Sequence, residues 1–423
     1  MVNVRFVHAL LVLLKHTIYL IVLGLFTVSE KLMRQFGMYP EPPSEDHCEI
    51  RKILWRSRIS HGELYFNLNF LTTHSKFVAS RFVLKDTMLP YSITKTHVTL
   101  VEFERPVHQE CTTERSVILM NWAFENAKRF LRVPIAAFIR MVDNELGPEL
   151  RTKVVFLGNS ARCGSTLMCK VFSGYCPGMI TMSEPGYIIA LGQAKLTMPQ
   201  EEFRALSSAV VRFGCRPVKG KEGYFIKMTS MGMIIMDDLA PVLPSLKFFY
   251  LERESTEKFV MSLYVTLSSI SITWLMRFAV KYQIWKPVEW MLGAPPQYVW
   301  DAPRKYSYVL HSLNLYECAV FQWALTQRLV NYLVTILPTF PTVTYEKLME
   351  EPEETLKTIV EYCEIEPPYN LEKALEGFDG DSQEGTHLSR KNLSKIERPE
   401  ITDEVKARVN KFAELCELKP VFI

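Results

Sequence analysis

Val154-Val155-Phe156-Leu157-Gly158-Asn159-Ser160-Ala161-Arg162-Cys163-Gly164-Ser165-Thr166-Leu167-Met168 is the stretch whose reading decides the fold. The apolar, β-branched run to Leu157 reads as a buried strand, and Gly158 opens a short polar loop. From Ser165 onward, Leu167, Val171 and Phe172 fall on one helical face. Strand, tight loop and helix N-terminus, in that order, present backbone N–H groups to a phosphate. The helix dipole adds partial positive charge there, and Arg162 adds a full one. The nucleotide-kinase pattern G-x-x-x-x-G-K-[ST] is not met: Ser165 rather than Lys follows Gly164, and five residues separate Gly164 from Gly158. A plain Gly/Ser turn with Arg162 solvated is the alternative reading.

Around this stretch, residues 148–365 alternate strand and helix patterns. Strands are expected at 153–157, 179–183, 223–228, 246–251 and 342–345. Their apolar character predicts an α/β fold, a parallel sheet with helices on both faces. Ligands in such folds sit beyond the carboxyl ends of the strands. Ser165 and Thr166 follow the first strand and Glu184 the second; Lys227 ends the third and Arg253 follows the fourth. Each has a bland alternative. Glu184-Pro185 is a general base or an ordinary turn. Lys227 neutralises developing charge or reaches out to water. Arg253 grips an anion or pairs with Glu252 or Glu257 on the surface.

Arg162-Cys163-Gly164-Ser165-Thr166 resembles the 5′-phosphosulfate loop of sulfotransferases. It is closer to the Arg-x-Gly-Ser-[ST] form of membrane-bound carbohydrate sulfotransferases than to the Lys-Ser-Gly-Thr-Thr form of cytosolic ones. Glu184-Pro185 is similar to a Glu-Pro that carbohydrate sulfotransferases carry after the second strand. Phe225-Ile226-Lys227-Met228-Thr229 resembles the Ile-Lys-Thr-His stretch of cytosolic members, with Thr229 in place of the basic His. The resemblance, over about 150–395, implies a P-loop-type sulfotransferase fold using 3′-phosphoadenosine 5′-phosphosulfate (PAPS), with no metal. It implies that Arg162, Cys163, Gly164, Ser165 and Thr166 hold the 5′-phosphosulfate. Arg253 and Ser262 would take the 3′-phosphate, although Ser262 lies one residue later than in the resembled pattern. Glu184 would be the base and Lys227 would stabilise charge. Thr344-Tyr345-Glu346-Lys347-Leu348 is similar to a stretch whose role there looks structural. The basic turn Ser389-Arg390-Lys391, with Arg390 closing over the nucleotide, is matched by a late basic loop of the family; a solvated turn is its alternative. The implied acceptor is a hydroxyl, of a glycan or another molecule. A catalytically inactive relative that binds a nucleotide or partner is the second reading, and a P-loop kinase the third.

Residues 6–28 are almost wholly apolar, interrupted by Lys15 and His16. Together they are long enough for a signal-anchor crossing a membrane; a helix in the membrane interface or a buried helix is the alternative. Lys31, Arg34, Arg51 and Lys52 follow, which by the positive-inside rule keeps the C-terminal bulk cytoplasmic. The family resemblance instead implies a Golgi membrane with a luminal catalytic domain. The chain divides into an anchor (1–30), a stem (31–47), an α+β accessory segment (48–147) and the α/β domain (148–423). In the accessory segment 63–70 and 97–103 read as strands and 113–146 as helical, with Phe130 and Leu131 on the apolar side. Residues 259–276 carry no charge and read as a core helix leading to a lid, or as a membrane-facing insertion; 277–305 shape an acceptor pocket, rest on a membrane surface or, most often for such a stretch, simply pack. The net charge of +3 gives no basis for nucleic-acid binding, and the nine cysteines show no metal spacing.

Overall fold

The computed structural model describes residues 4–58, 67–112, 115–269, 297–310, 314–337, 340–386 and 388–423. Two five-stranded sheets organise them. The first is antiparallel and built from β1 (His47–Arg56), β2 (Phe70–Ala79), β3 (Met88–Ile93), β4 (His97–Glu102) and β5 (Arg129–Pro134). Its spatial order is β2-β1-β5-β4-β3. The second contains β6 (Lys153–Asn159), β7 (Met179–Ser183), β8 (Gly223–Lys227), β9 (Lys247–Glu252) and β10 (Thr342–Thr344). It is parallel throughout, in the order β10-β9-β6-β8-β7. The expected α/β parallel sheet is present.

The order explains where a ligand can sit. From β6 the chain lays β7 and β8 on one side, then crosses to lay β9 and β10 on the other. The strand order therefore reverses at β6, and the crevice beyond its carboxyl end is the natural binding place. Alternation along β6 builds the layers. Val155 and Leu157 face the helices Ser165–Tyr175 and Pro352–Tyr362, joined by Phe172, Phe225 and Phe249. Val154 and Phe156 face the opposite layer, with Ile226, Phe248, Tyr187 and Phe213. Pro352 opens its helix at a position where the missing N–H costs no hydrogen bond.

That second layer continues without a break into the antiparallel sheet through Tyr91, Leu100 and Phe130. Residues 48–147 thus share one core with the parallel sheet. The helix expected across 113–146 is instead a helix (Leu119–Asn126), β5 and a second helix (Ile135–Leu146). The apolar spacing suits either structure; pairing on both sides, with β1 and β4, makes 129–134 a central strand. The expected strand at 63–70 lies outside the described residues up to 66, and Asn67–Asn69 form a 3-10 turn before β2. Of the uncharged run 259–276, the described part continues the helix Thr256–Ser269, whose Phe259, Val260 and Leu263 are buried. Residues 270–296, most of the expected lid, lie outside the described residues.

The N-terminal helix spans Val4–Gln35, and its stretch Leu14–Gln35 is long and apolar enough to cross a membrane. One face is docked on β1 and the turn before β2. His16 Nδ1 lies 3.1 Å from Ser57 Oγ, Tyr19 donates to Leu68 O at 2.6 Å, and Glu30 pairs with Arg51. Leu14, Ile18, Ile21, Leu25 and Val28 remain exposed. Beyond the helix, Tyr39 is buried and donates to Glu49 Oε1 at 2.6 Å, so the 31–47 segment lies on the sheet.

Candidate active site

The loop after β6 is held in an uncommon backbone conformation. Ala161 and Arg162 have φ of 54° and 55°, and Gly164 has φ of 87°. Left-handed backbone at non-glycine residues persists only where the surroundings enforce it. Here Asn159, itself buried, accepts from Ala161 N at 3.0 Å and donates to Met228 O at 2.5 Å. Ser160 N donates to Leu251 O at 3.1 Å. The loop is thereby tied to both strands flanking β6. Gly164 ends it, and no side-chain cap covers the start of the Ser165–Tyr175 helix. The Tyr345 ring packs so closely on Gly164 that an added Cβ would lie 2.3 Å from Cδ2.

Two cations meet at this loop. Arg253 Nε donates to Arg162 O at 3.0 Å, and its guanidinium stacks on the Tyr345 ring, 4.6 Å from the centroid. Arg253 is therefore turned into the loop rather than paired with Glu252 or Glu257. Burial, and then the nearby Arg253 charge, push the Arg162 guanidinium below its ordinary value, with Asp381 opposing them. Arg162 Nε is buried and has no hydrogen-bond partner among the described residues. Two crowded, partly dehydrated guanidinium groups favour an anion between them. Cys163 and Cys169 fill space: burial raises both thiols, that of Cys169 to about 12.

A carboxylate and an ammonium stand beside the loop. Lys227, buried at the end of β8, donates to Glu184 Oε1 at 2.5 Å and to Thr166 Oγ1 at 3.1 Å. Glu184 follows β7 with φ of 52°. Its N–H donates to Lys227 O at 2.8 Å, and its carbonyl accepts from Met120 N at 3.2 Å. The antiparallel unit thus holds the carboxylate residue from one side and β8 from the other. Between Thr166, Ser183, Val117 and the segment Asp381–Glu384 a cleft opens beside these groups. Ser183 is one of its lining residues, and its Oγ is buried without a hydrogen-bond partner among the described residues.

The structure brings together Arg162, Cys163, Gly164, Ser165, Thr166, Glu184, Lys227 and Arg253. Ser262 lies within the Thr256–Ser269 helix and its hydroxyl donates back to Lys258 O at 2.8 Å. Arg390 is exposed at the start of the short helix Arg390–Leu393, which packs on that same helix. Sequence reading missed Gln383. It donates to Thr166 Oγ1 at 3.0 Å and accepts from Arg162 Nη1 at 3.2 Å. Nothing local marks a glutamine more than two hundred positions downstream. Tyr345, read as structural, is the platform beneath Arg253 and Gly164. Among the described residues no three His, Cys, Asp or Glu side chains converge as a metal site would require.

Gly164→Ala is expected to lower the thermal unfolding midpoint. The left-handed backbone alone costs about 1–2 kcal/mol for a residue with a Cβ, and contact with Tyr345 adds to it. In a double-mutant cycle with Tyr345→Ala the losses are sub-additive, because the smaller side chain removes the clash but not the backbone cost.

No family model and no curated protein sequence matches the chain. Solved structures do. It is similar to the sulfotransferase domain from the curacin biosynthetic pathway at 14% identity, covering 64% of this chain and 99% of that one with a TM-score of 0.36. The sulfotransferase domain of the Synechococcus olefin synthase matches at 14% identity over 63% of this chain and 94% of that one, TM-score 0.33. A Mycobacterium tuberculosis sulfotransferase matches at 9% identity over 66% and 81%, TM-score 0.35.

Proposed function

We propose that the chain is a sulfotransferase that moves a sulfuryl group from PAPS to an acceptor hydroxyl. One observation carries the reading: a glycine-ended, left-handed loop at the switch point of a parallel sheet, carrying Arg162 and bonded by Arg253, stands beside a Lys227–Glu184 pair at 2.5 Å. The loop and Arg162 would receive the 5′-phosphosulfate, and Arg253 the 3′-phosphate; Ser262 and Arg390, on two helices packed together, would be further candidates for that side. The acceptor oxygen attacks sulfur in line, and the bond from sulfur to the bridging phosphate oxygen breaks. The acceptor proton passes to Glu184, and the charge left on the bisphosphate is met by Arg162 and Lys227. Lys227 reaches both Glu184 and Thr166, so turning toward the bridging oxygen would release Glu184 as a base at the moment it is needed. The layout is that of phosphoryl transfer, positioning plus electrostatics. The acceptor class in this reading is a carbohydrate or similar hydroxyl entering the cleft by Ser183 and Val117. A relative that binds nucleotide without turnover is the second reading. The third, a kinase, lacks a lysine directly after Gly164.

Calorimetric titration of the full-length protein with adenosine 3′,5′-bisphosphate tests the donor site. The wild type is expected to bind it well and ATP weakly. Arg162→Ala and Arg253→Ala are each expected to weaken binding roughly 10- to 100-fold, the worth of one hydrogen bond to a charged group. A folded wild type that does not bind would overturn the reading.

In the same reading the N-terminal helix attaches the protein to a membrane, that of the Golgi, with the catalytic unit luminal. Specific observations favour the opposite face of that membrane. All nine cysteines are buried free thiols, and Lys31, Arg34 and Lys52 follow the apolar run. Asn392 is exposed and heads the sequon Asn392-Leu393-Ser394. Glycosidase treatment of protein made in secretion-competent cells separates the two. The free thiols predict no change in mass, whereas a loss at Asn392 places the domain in the lumen.

A further inference from the structure

Residues 379–386 lie against the phosphate loop and its helix, through Asp379 and Gln383. Gln383 makes the decisive contacts: its amide oxygen accepts from Arg162 Nη1 and its amide nitrogen donates to Thr166 Oγ1. Thr166 Oγ1 also accepts from Lys227. One neutral amide is therefore bound by the side chains that the proposed function assigns to the phosphosulfate. The amide presents to Arg162 an oxygen of partial negative charge, and the Asp381 carboxylate of the same turn acts on it from beyond hydrogen-bond contact, whereas the donor would bond it with a full charge.

The segment around Gln383 is tied mainly to itself. Asp381 Oδ1 accepts from Gln383 N at 3.0 Å, and Asp381 Oδ2 accepts from Arg390 N at 2.5 Å. Gln383 O accepts from Thr386 N at 3.1 Å and from Thr386 Oγ1 at 2.8 Å. To the phosphate-loop helix it adds one exposed bond, from Lys170 Nζ to Asp379 O at 3.1 Å. The turn is thus bonded mainly within itself and held to the loop by few hydrogen bonds. Asp381, Ser382 and Glu384 from the same turn also form a wall of the cleft beside Ser183 and Val117.

We infer that Gln383 is a latch: its amide occupies the phosphate position in the ligand-free protein, and the donor's phosphosulfate displaces it together with the 379–386 turn. The inference rests on the donor reading above. Charge-assisted bonds from Arg162 to an anion are about twice as strong as those to an amide, so the exchange runs toward the donor. Because the displaced turn is also a wall of the cleft, donor binding reshapes the acceptor entrance, and donor enters before acceptor.

Full-length wild type, Gln383→Ala and Gln383→Glu, each checked for folding by its melting temperature without ligand, are titrated with adenosine 3′,5′-bisphosphate. Removing the competing amide should tighten binding roughly three- to tenfold, since the apparent constant no longer carries the cost of opening. The carboxylate of Gln383→Glu pairs with Arg162 and should weaken binding more than tenfold. If Gln383→Ala binds no better than a wild type that does bind, or less well, the latch is overturned and the donor reading stands. If the wild type does not bind at all, the donor reading falls and the latch with it.

Discussion

The site depends on one constraint, the left-handed turn from Ala161 to Gly164. It can exist only because the backbone is held from three directions: Asn159 bonds it to the end of β8, Ser160 to the end of β9, and the Tyr345 ring closes over Gly164. Arg253 joins by bonding the Arg162 carbonyl while resting on the same ring. The turn is therefore the meeting point of three strands, and its geometry is inherited from the register of the sheet. Such over-determination is how a fold stores backbone strain where it binds ligands.

From this turn a continuous polar chain runs to the carboxylate: Arg162, Gln383, Thr166, Lys227, Glu184. It links the arginine of the loop to the Glu184 carboxylate within one hydrogen-bonded network. Such networks are cooperative and costly to leave half satisfied. This gives the antiparallel unit a purpose. Its helix Leu119–Asn126 bonds the carbonyl of Glu184, which also sits in a left-handed conformation. Because the unit shares a core with the parallel sheet, the Glu184 backbone is held between the two.

Much of this was legible in the sequence. Four of the parallel strands could be placed because each is a short, mostly apolar run followed by a polar or glycine residue, and the fifth, Thr342–Thr344, from its β-branched residues. Arg162, Glu184, Lys227 and Arg253 could be singled out because each ends or follows such a run. What escaped depended on tertiary pairing. Arg129–Pro134 has a spacing compatible with a helix, and only partners on both sides make it a strand. Gln383 carries no local pattern; its place is set by the Asp381 turn folding back over a helix from far upstream. Tyr345 was visible as part of a motif, but its packing on Gly164 appears only once β10 has joined the sheet beside β9. The sequence reads as an anchor followed by a stem. The burial of Tyr19 and Tyr39, and the Glu30–Arg51 pair, bind both segments to the sheet in a way no hydropathy pattern encodes.

The central claim is that the Arg162 loop is a donor-phosphate site. Its most direct test is a crystal structure of the full-length protein with adenosine 3′,5′-bisphosphate. The account predicts the 5′-phosphate against Arg162 and the first turn of the Ser165–Tyr175 helix, and the 3′-phosphate beside Arg253. A nucleotide bound elsewhere, with the Ala161–Gly164 turn untouched, would contradict it.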